Sequence, residues 1–245
     1  MQAMEDVLKL TPASIDYNYQ GEVMVFDLDD TLYSEYDYML SGFEAIVRYE
    51  LGGVKNVRQD VFLEKMVEVF QRGENALDKL ADSLNINPLN REEKIKEWVR
   101  IYREHKPEIT LSSEVREVLK TLSLKDLRLA IITDGRSISQ RNKIEALGLT
   151  DFFEDNNIFI SEEHAKGKES MEPFSYMEHI FPNASRYIYI ADNPQKDFFY
   201  PNLMGWNTVC LRDKGKNIHP QDIKVSSEYL PSATIDSFKE LLTVK

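Results

Sequence analysis

In the stretch Val23-Met24-Val25-Phe26-Asp27-Leu28-Asp29-Asp30-Thr31-Leu32, an apolar run meets a cluster of acids with no spacer between them. Four consecutive apolar residues with β-branched members suit a strand covered on both faces, as in a parallel sheet. The acids then lie at that strand's carboxyl end. Similar runs recur at Leu127-Arg-Leu-Ala-Ile-Ile132, Ile158-Phe-Ile160, Tyr187-Ile-Tyr-Ile190 and Thr208-Val-Cys-Leu211. Helical patterns separate them: Val115, Val118, Leu119 and Leu122, then residues 137–147 closing at Gly148, then Phe174, Met177 and Phe181. Strands alternating with helices at this spacing predict an α/β fold, a Rossmann-like parallel sheet with helices on both faces.

Between the first strand and residue 110 the period changes from strand to helix. Leu40, Phe43 and Val47 run toward Gly52-Gly53, Leu63, Met66, Val67 and Phe70 mark a second helix, and Leu77, Leu80, Ala81 and Leu84 a third. A fourth is expected to start at Asn90 with Glu93 three residues on, carry Ile95, Trp98, Val99 and Tyr102, and stop before Pro107. This block reads as a helical bundle inserted after the first strand. The expected division is an N-terminal surface extension at 1–20, a core at 21–32 plus 111–245, and a helical cap at 33–110.

Composition narrows the function classes. The chain of 245 residues has 30 Lys and Arg against 42 Asp and Glu, a formal charge of −12 that repels nucleic acid and anionic lipid. No stretch approaches the ~18 apolar residues of a membrane helix, and the N-terminus carries acids where a signal peptide carries Lys or Arg. One cysteine, Cys210, excludes an intrachain disulfide and a thiolate zinc site. A cytoplasmic protein with a small-molecule partner, and neither nucleic acid nor membrane, is expected.

In open parallel sheets ligands bind beyond the carboxyl strand ends, where the strand order reverses. Polar residues gather there: Asp27, Asp29, Asp30 and Thr31 after the first strand, Thr133 and Asp134 after the second, and Asp192, Asn193 and Asp197 after the fourth. Converging carboxylates disfavour one another's charge, and a cation resolves the conflict. Hard oxygens without His or Cys point to Mg²⁺, which commonly accompanies phosphate. The Thr133 hydroxyl, the N–H groups around Asp134-Gly135, a lysine and the following helix N-terminus offer partners for phosphoryl oxygens. A calcium loop is excluded, because Leu32 stands where its glycine would be. His105, His164, His179 and His219 show no metal-binding spacing, and Cys210 reads as core.

Asp27-Leu28-Asp29-Asp30-Thr31-Leu32, Thr133-Asp134-Gly135, a lysine near 168 and Ala191-Asp192-Asn193-Pro194-Gln195-Lys196-Asp197 together resemble the haloacid dehalogenase superfamily, over about residues 21–245. The helical insert looks like that superfamily's type 1 cap. The resemblance implies that Asp27 attacks phosphorus to form an aspartyl-phosphate, and that Asp29 protonates the leaving oxygen and then activates water. It implies that Asp27, Asp192 and the Asp29 carbonyl hold Mg²⁺, with Asn193 and Asp197 behind them orienting the lysine or a metal-bound water. Thr133, Asp134, Gly135 and Lys168 would bind the phosphoryl group. Two departures stand out: the usual Pro-x-Pro after the lysine is missing, and Ala191 replaces a frequent Gly. Lys168 is chosen by its distance to Phe174, with Lys166 as the fallback.

An acid at Asp29 favours phosphate esters, since carbon–halogen and phosphorus–carbon cleavage need no protonated alkoxide. The expected reaction is Mg²⁺-dependent hydrolysis of a small phosphomonoester, and the resemblance implies a sugar phosphate, a phosphoglycolate-like acid or a nucleoside monophosphate, among which the sequence does not choose. A phosphomutase and an idle relative binding a phospholigand or a protein are the alternatives. Tyr33, Tyr36, Tyr38 and Phe43 lead from the nucleophile into the cap, where a lid meets substrate, although packing explains aromatics equally well.

Overall fold

The computed structural model describes residues 16, 18–54, 57–221 and 224–243. Six strands form one parallel sheet: β1 (Glu22–Phe26), β2 (Leu127–Thr133), β3 (Ile158–Ile160), β4 (Arg186–Ala191), β5 (Asn207–Leu211) and β6 (Ala233–Ile235), in the order β3-β2-β1-β4-β5-β6. From β1 the chain first builds outward on one side, then returns to start β4 against β1's other edge. The strand order therefore reverses between β1 and β4, directly above Asp27 and Asp192.

β1 is flanked on both edges, with Val25 paired to Ala130 and Tyr189. Its alternation sends Met24 and Phe26 into one apolar layer with Val118, Leu119 and Ile131, and Val23 and Val25 into the other with Phe174, Met177 and Tyr189. Both faces are buried, which explains the unbroken apolar run. Helix α5 (Ser113–Ser123), capped by the Ser112 side chain on Val115 N, covers the first layer, as does α6 (Ser137–Ala146) through Ile144. Helix α8 (Glu172–Ile180) covers the second.

The described residues of the insert form four helices, α1 (Glu35–Leu51), α2 (Gln59–Gln71), α3 (Ala76–Ser83) and α4 (Pro88–Glu104), around a core of their own that includes Phe43, Ile46, Met66, Leu80 and Trp98. Trp98 is fully buried, and its Nε1 donates to Glu50 Oε1 at 2.7 Å. The cap of helix α4, Asn87, lies three residues before the expected Asn90. Asn87 accepts from Leu89 N at 2.9 Å and Pro88 takes the first helical position, where its missing N–H costs nothing. Asn90 lies inside the helix.

Among the described residues, β6, helix α7 (Ser161–His164) and helix α9 (Phe199–Leu203) have no counterpart in the sequence reading. Each is too brief to show a period. Residues 1–15 and 17 of the expected extension lie outside the described residues. Within 18–20 the structure corrects the surface reading: Tyr19 is buried against Phe181, lies under Arg128 and donates to Glu22 O at 2.5 Å. No helix among the described residues is long and apolar enough to cross a membrane.

Candidate active site

Asp27 follows β1 directly, its N–H held by Ile190 O at 2.9 Å, so its carboxylate stands over the reversal point. Its Oδ1 lies 2.9 Å from Lys168 Nζ, and the same ammonium lies 2.7 Å from Asp197 Oδ1. Asp27, Asp192 and Asp197 are all buried, and a carboxylate oxygen from each falls within 4.8 Å of the others. One lysine thus faces a group of three acids. Burial raises Asp27 to about 7 despite Lys168 beside it, with Asp197 adding to the rise. Burial, then Asp27 and Asp197, raise Asp192 to about 8. Burial opposes the charge of Lys168, but Asp197 and Asp27 more than offset it and hold the ammonium well above its ordinary range.

The loops that place these groups are braced by polar contacts. Asp134 Oδ1 accepts from Lys168 N at 3.0 Å and fixes the lysine loop, while Asp134 Oδ2 meets Lys196 Nζ at 2.5 Å. Gly167 lets the lysine loop pass close to Asp134, whose Oδ1 a Cβ would approach to 2.2 Å. Asn193 N donates to Asp197 Oδ2 at 3.0 Å, and Asn193 Oδ1 accepts from Gln195 N in a tight Asx turn. Lys166, the fallback lysine, lies outside the crevice, largely exposed and 3.9 Å from Glu172.

Asp29 has a set of partners of its own beside the three grouped acids. Lys143 Nζ donates to its Oδ1 at 2.7 Å, Tyr33 Oη to the same oxygen at 2.6 Å, and Gln140 Nε2 to Oδ2 at 3.0 Å. Burial alone would raise this carboxyl, yet Lys143, Tyr33 and Gln140 hold it below the usual carboxylate range. Asp30 is structural. It adopts a left-handed φ of 52°, which Asp tolerates, and its two oxygens take Glu35 N and Ile218 N, each at 2.8 Å.

Two expected phosphate contacts are directed elsewhere. Gly135 N donates to Ser161 Oγ at 3.0 Å, and the N-terminus of α6 is capped by Glu162 Oε2 on Ser137 N at 2.8 Å. An acid already satisfies the helix end that was expected to draw the anion. Thr133 remains buried on the crevice wall.

Several site residues escaped the sequence reading. Gln140 and Lys143 lie one helical turn apart on α6, a spacing that also suits a solvated face. Asn217, from the loop after β5, donates to Asp192 Oδ2 at 2.7 Å, and Gln221 Nε2 to Asp192 O at 2.6 Å. Glu35 sits in the first turn of α1, where burial and then Asp29 raise it to about 8. His219 borders the crevice from an exposed loop.

The inner crevice, about 140 Å³, is walled by Asp27, Thr133, Lys168 and Asp192. It adjoins a cavity of about 540 Å³ between core and cap, with Asp29, Glu35 and Asp134 on the border of both. Tyr38, Phe43 and Tyr102 form the apolar side of the larger space, and Arg103 and Arg136 also border it. Tyr36 lines a different cavity. The arrangement suits a small anion held in the crevice with its organic part under the cap. The carboxylate group consists of oxygen donors alone and is crowded with negative charge, so a hard divalent cation fits its chemistry.

Comparison with known proteins agrees with this geometry. A family profile described as haloacid dehalogenase-like hydrolase matches residues 24–208. The glyceraldehyde 3-phosphate phosphatase of Methanocaldococcus jannaschii is 27% identical over 226 residues, covering 90% of this chain and 95% of that one. The magnesium-bound hydrolase YfnB of Bacillus subtilis has the same fold, with a TM-score of 0.61 at 19% identity over 91% of this chain and 98% of its own. The 2-haloacid dehalogenase of Pseudomonas syringae matches with a TM-score of 0.56 at 19% identity, covering 91% and 97%. Fold therefore leaves the bond to be cleaved undecided, and the side chains must choose it.

Proposed function

Since the chain belongs to the haloacid dehalogenase-like hydrolase family, we propose that it is a phosphatase that hydrolyses a small phosphomonoester through an aspartyl-phosphate on Asp27. The observation that carries this reading is the pairing of Asp27 with Lys168, with a second carboxylate, Asp29, two residues on and facing the larger cavity. Attack by Asp27 forms an oxygen–phosphorus bond as the ester bond to the leaving oxygen breaks. Asp29 gives that oxygen its proton. A phosphoryl dianion entering beside Asp29 disfavours its charge and draws the required proton onto it. In the second step Asp29 takes a proton from water, which attacks phosphorus and frees Asp27 and phosphate. Lys168 and the Thr133 hydroxyl neutralise and orient the phosphoryl oxygens.

Asp27, Asp192 and the Asp29 carbonyl would hold Mg²⁺, with Asn193 and Asp197 behind them. When bound, the ion supplies positive charge to the transferring group. Asp134 and Gly135 shape the turn beside the phosphate. The acidic balance of the chain supports a small-molecule substrate over nucleic acid, and one buried thiol suits the cytoplasm.

The cavity under the cap admits leaving groups from a three-carbon unit to a sugar or nucleoside, so a panel must span that range. It should include glyceraldehyde 3-phosphate, after the archaeal relative, together with sugar phosphates, phosphoglycolate, nucleoside monophosphates and an aryl phosphate. Phosphate release is expected from at least one ester, dependent on Mg²⁺ and abolished by Asp27→Asn with the fold retained. Release that survives Asp27→Asn, or none from any ester with Mg²⁺ present, overturns the proposal.

A further inference from the structure

Gln140 is almost fully buried, at 2% exposure, and its amide nitrogen has two partners, Asp29 Oδ2 at 3.0 Å and Thr133 Oγ1 at 2.6 Å. An ionised carboxylate only accepts hydrogen bonds, so the nitrogen of the amide, not its oxygen, must face Asp29. Both amide hydrogens are then used, one on each partner. The consequence falls on Thr133. A hydroxyl has one hydrogen to give, and here its oxygen accepts from Gln140, which leaves its own O–H free to turn into the crevice it lines.

Gln140 reaches this position because the turn before α6 leaves it room. Gly135 adopts φ 148°, and a Cβ there would meet Gln140 Cδ at 3.0 Å. One turn further along α6, Lys143 presents Nζ to Asp29 and lies 4.1 Å from the centroid of the Tyr38 ring. Residues three apart share a helix face, so one face of α6 serves the acid and the phosphate-binding hydroxyl together.

We propose that Gln140 is a positioning residue: its amide aims the Thr133 hydroxyl at the phosphoryl group and, with Lys143, fixes the direction of Asp29. This rests on the phosphatase reading above. It assigns to α6 a link between the phosphate-binding side of the site and the leaving-group side, and it makes a residue of no obvious chemistry necessary for turnover.

The test uses p-nitrophenyl phosphate, whose leaving group needs little protonation, so the arm through Thr133 is isolated. Values of kcat/KM are compared for the wild type, Gln140→Leu, Gln140→Glu, Thr133→Val and the Gln140→Leu/Thr133→Val pair, with thermal unfolding of each. Loss of a residue that orients a functional group without touching the reacting atoms lowers activity by roughly 10–100-fold, and that is expected of kcat/KM for Gln140→Leu. Gln140→Glu has the same shape but one hydrogen at most to give, and none when ionised. It cannot serve Asp29 and Thr133 together as the amide does, so its loss should match that of Gln140→Leu. If Gln140 merely fills space, the isosteric Glu should be the milder change. The double variant should lose no more than Thr133→Val alone, within about twofold, because the two residues act as one.

Additive losses, or a Gln140→Glu enzyme near wild type, overturn this proposal while leaving an active Asp27-dependent phosphatase in place. A wild type that is silent on every phosphate ester overturns both. Should Gln140→Glu fail to fold, the cycle of Gln140→Leu with Thr133→Val decides alone.

Discussion

Asp29 carries an unusual load for one carboxylate: a buried ammonium, a phenol and an amide all donate to it. Lys143 shows only 4% of its side chain to solvent, so each member of the pair keeps the other from being a lone buried charge. Two consequences follow from Asp29→Ala. Without a proton donor, kcat on alkyl phosphates should fall by roughly 10²-fold or more, whereas aryl phosphates, whose leaving groups are weaker bases, should lose much less. Equal losses on both ester types would sink the general-acid role. The orphaned Lys143 should also cost about 3–5 kcal/mol of stability, read by urea unfolding. Adding Lys143→Met to Asp29→Ala removes the stranded charge and should restore part of that stability without restoring alkyl turnover.

At the scale of elements, Asp30 is a fastener between parts of the chain that are far apart in sequence. Its carboxylate takes the first amide of α1 in the cap and Ile218 N in the loop after β5, and that loop also brings Asn217 to Asp192. Ser34, at the cap position of α1, makes no side-chain capping bond, so Asp30 does that work from four residues upstream. Asp30→Ala should destabilise the protein by roughly 2–3 kcal/mol, from one lost cap and one unpaired partner amide. Asp30→Asn, which keeps one accepting oxygen, should cost about half. Unfolding curves that overlay the wild type would show the fastener to be idle.

The same contrast explains what could be read from the sequence. β1, β2, β3 and β4 announce themselves because strands buried on both faces are largely apolar, and Asp27, Asp134 and Asp192 directly follow the ends of β1, β2 and β4. Residues that arrive from helix faces and loops carry no such mark: Gln140 and Lys143 look like a solvated turn, and Asn217 and Gln221 belong to an irregular loop. Their roles exist only after the sheet has brought α6 and the β5–β6 connection to the same crevice. Glu162 at the start of α6 is a similar case, since nothing local shows that it caps a helix 25 residues earlier.

The whole molecule holds a conflict that its fold creates. Folding brings Asp27, Asp192 and Asp197 out of water into one small volume with a single ammonium, Lys168, between two of them. Burial raises Asp27 to about 7 and Asp192 to about 8, both from an ordinary 3.8, so the folded protein binds protons that the unfolded chain releases. For acids shifted upward the linkage runs against stability. Nothing is lost below about pH 4, where both states are protonated, and the cost grows as pH rises toward about 8. Asp29, lowered by its donors, acts in the opposite sense only at the acidic end. The chelator-treated protein should therefore gain stability on Asp192→Asn, by roughly 1–3 kcal/mol near pH 8, while phosphatase activity is lost. The gain should shrink toward zero near pH 4. Mg²⁺ should raise the unfolding temperature of the wild type by binding the folded state alone, and should do so far less in the variant. Urea unfolding of both proteins from pH 4 to 8, with and without Mg²⁺, measures all of this. Stability differences between the two that do not change with pH, or an equal response to Mg²⁺, would mean that the three acids do not form the charged centre on which the reaction is built.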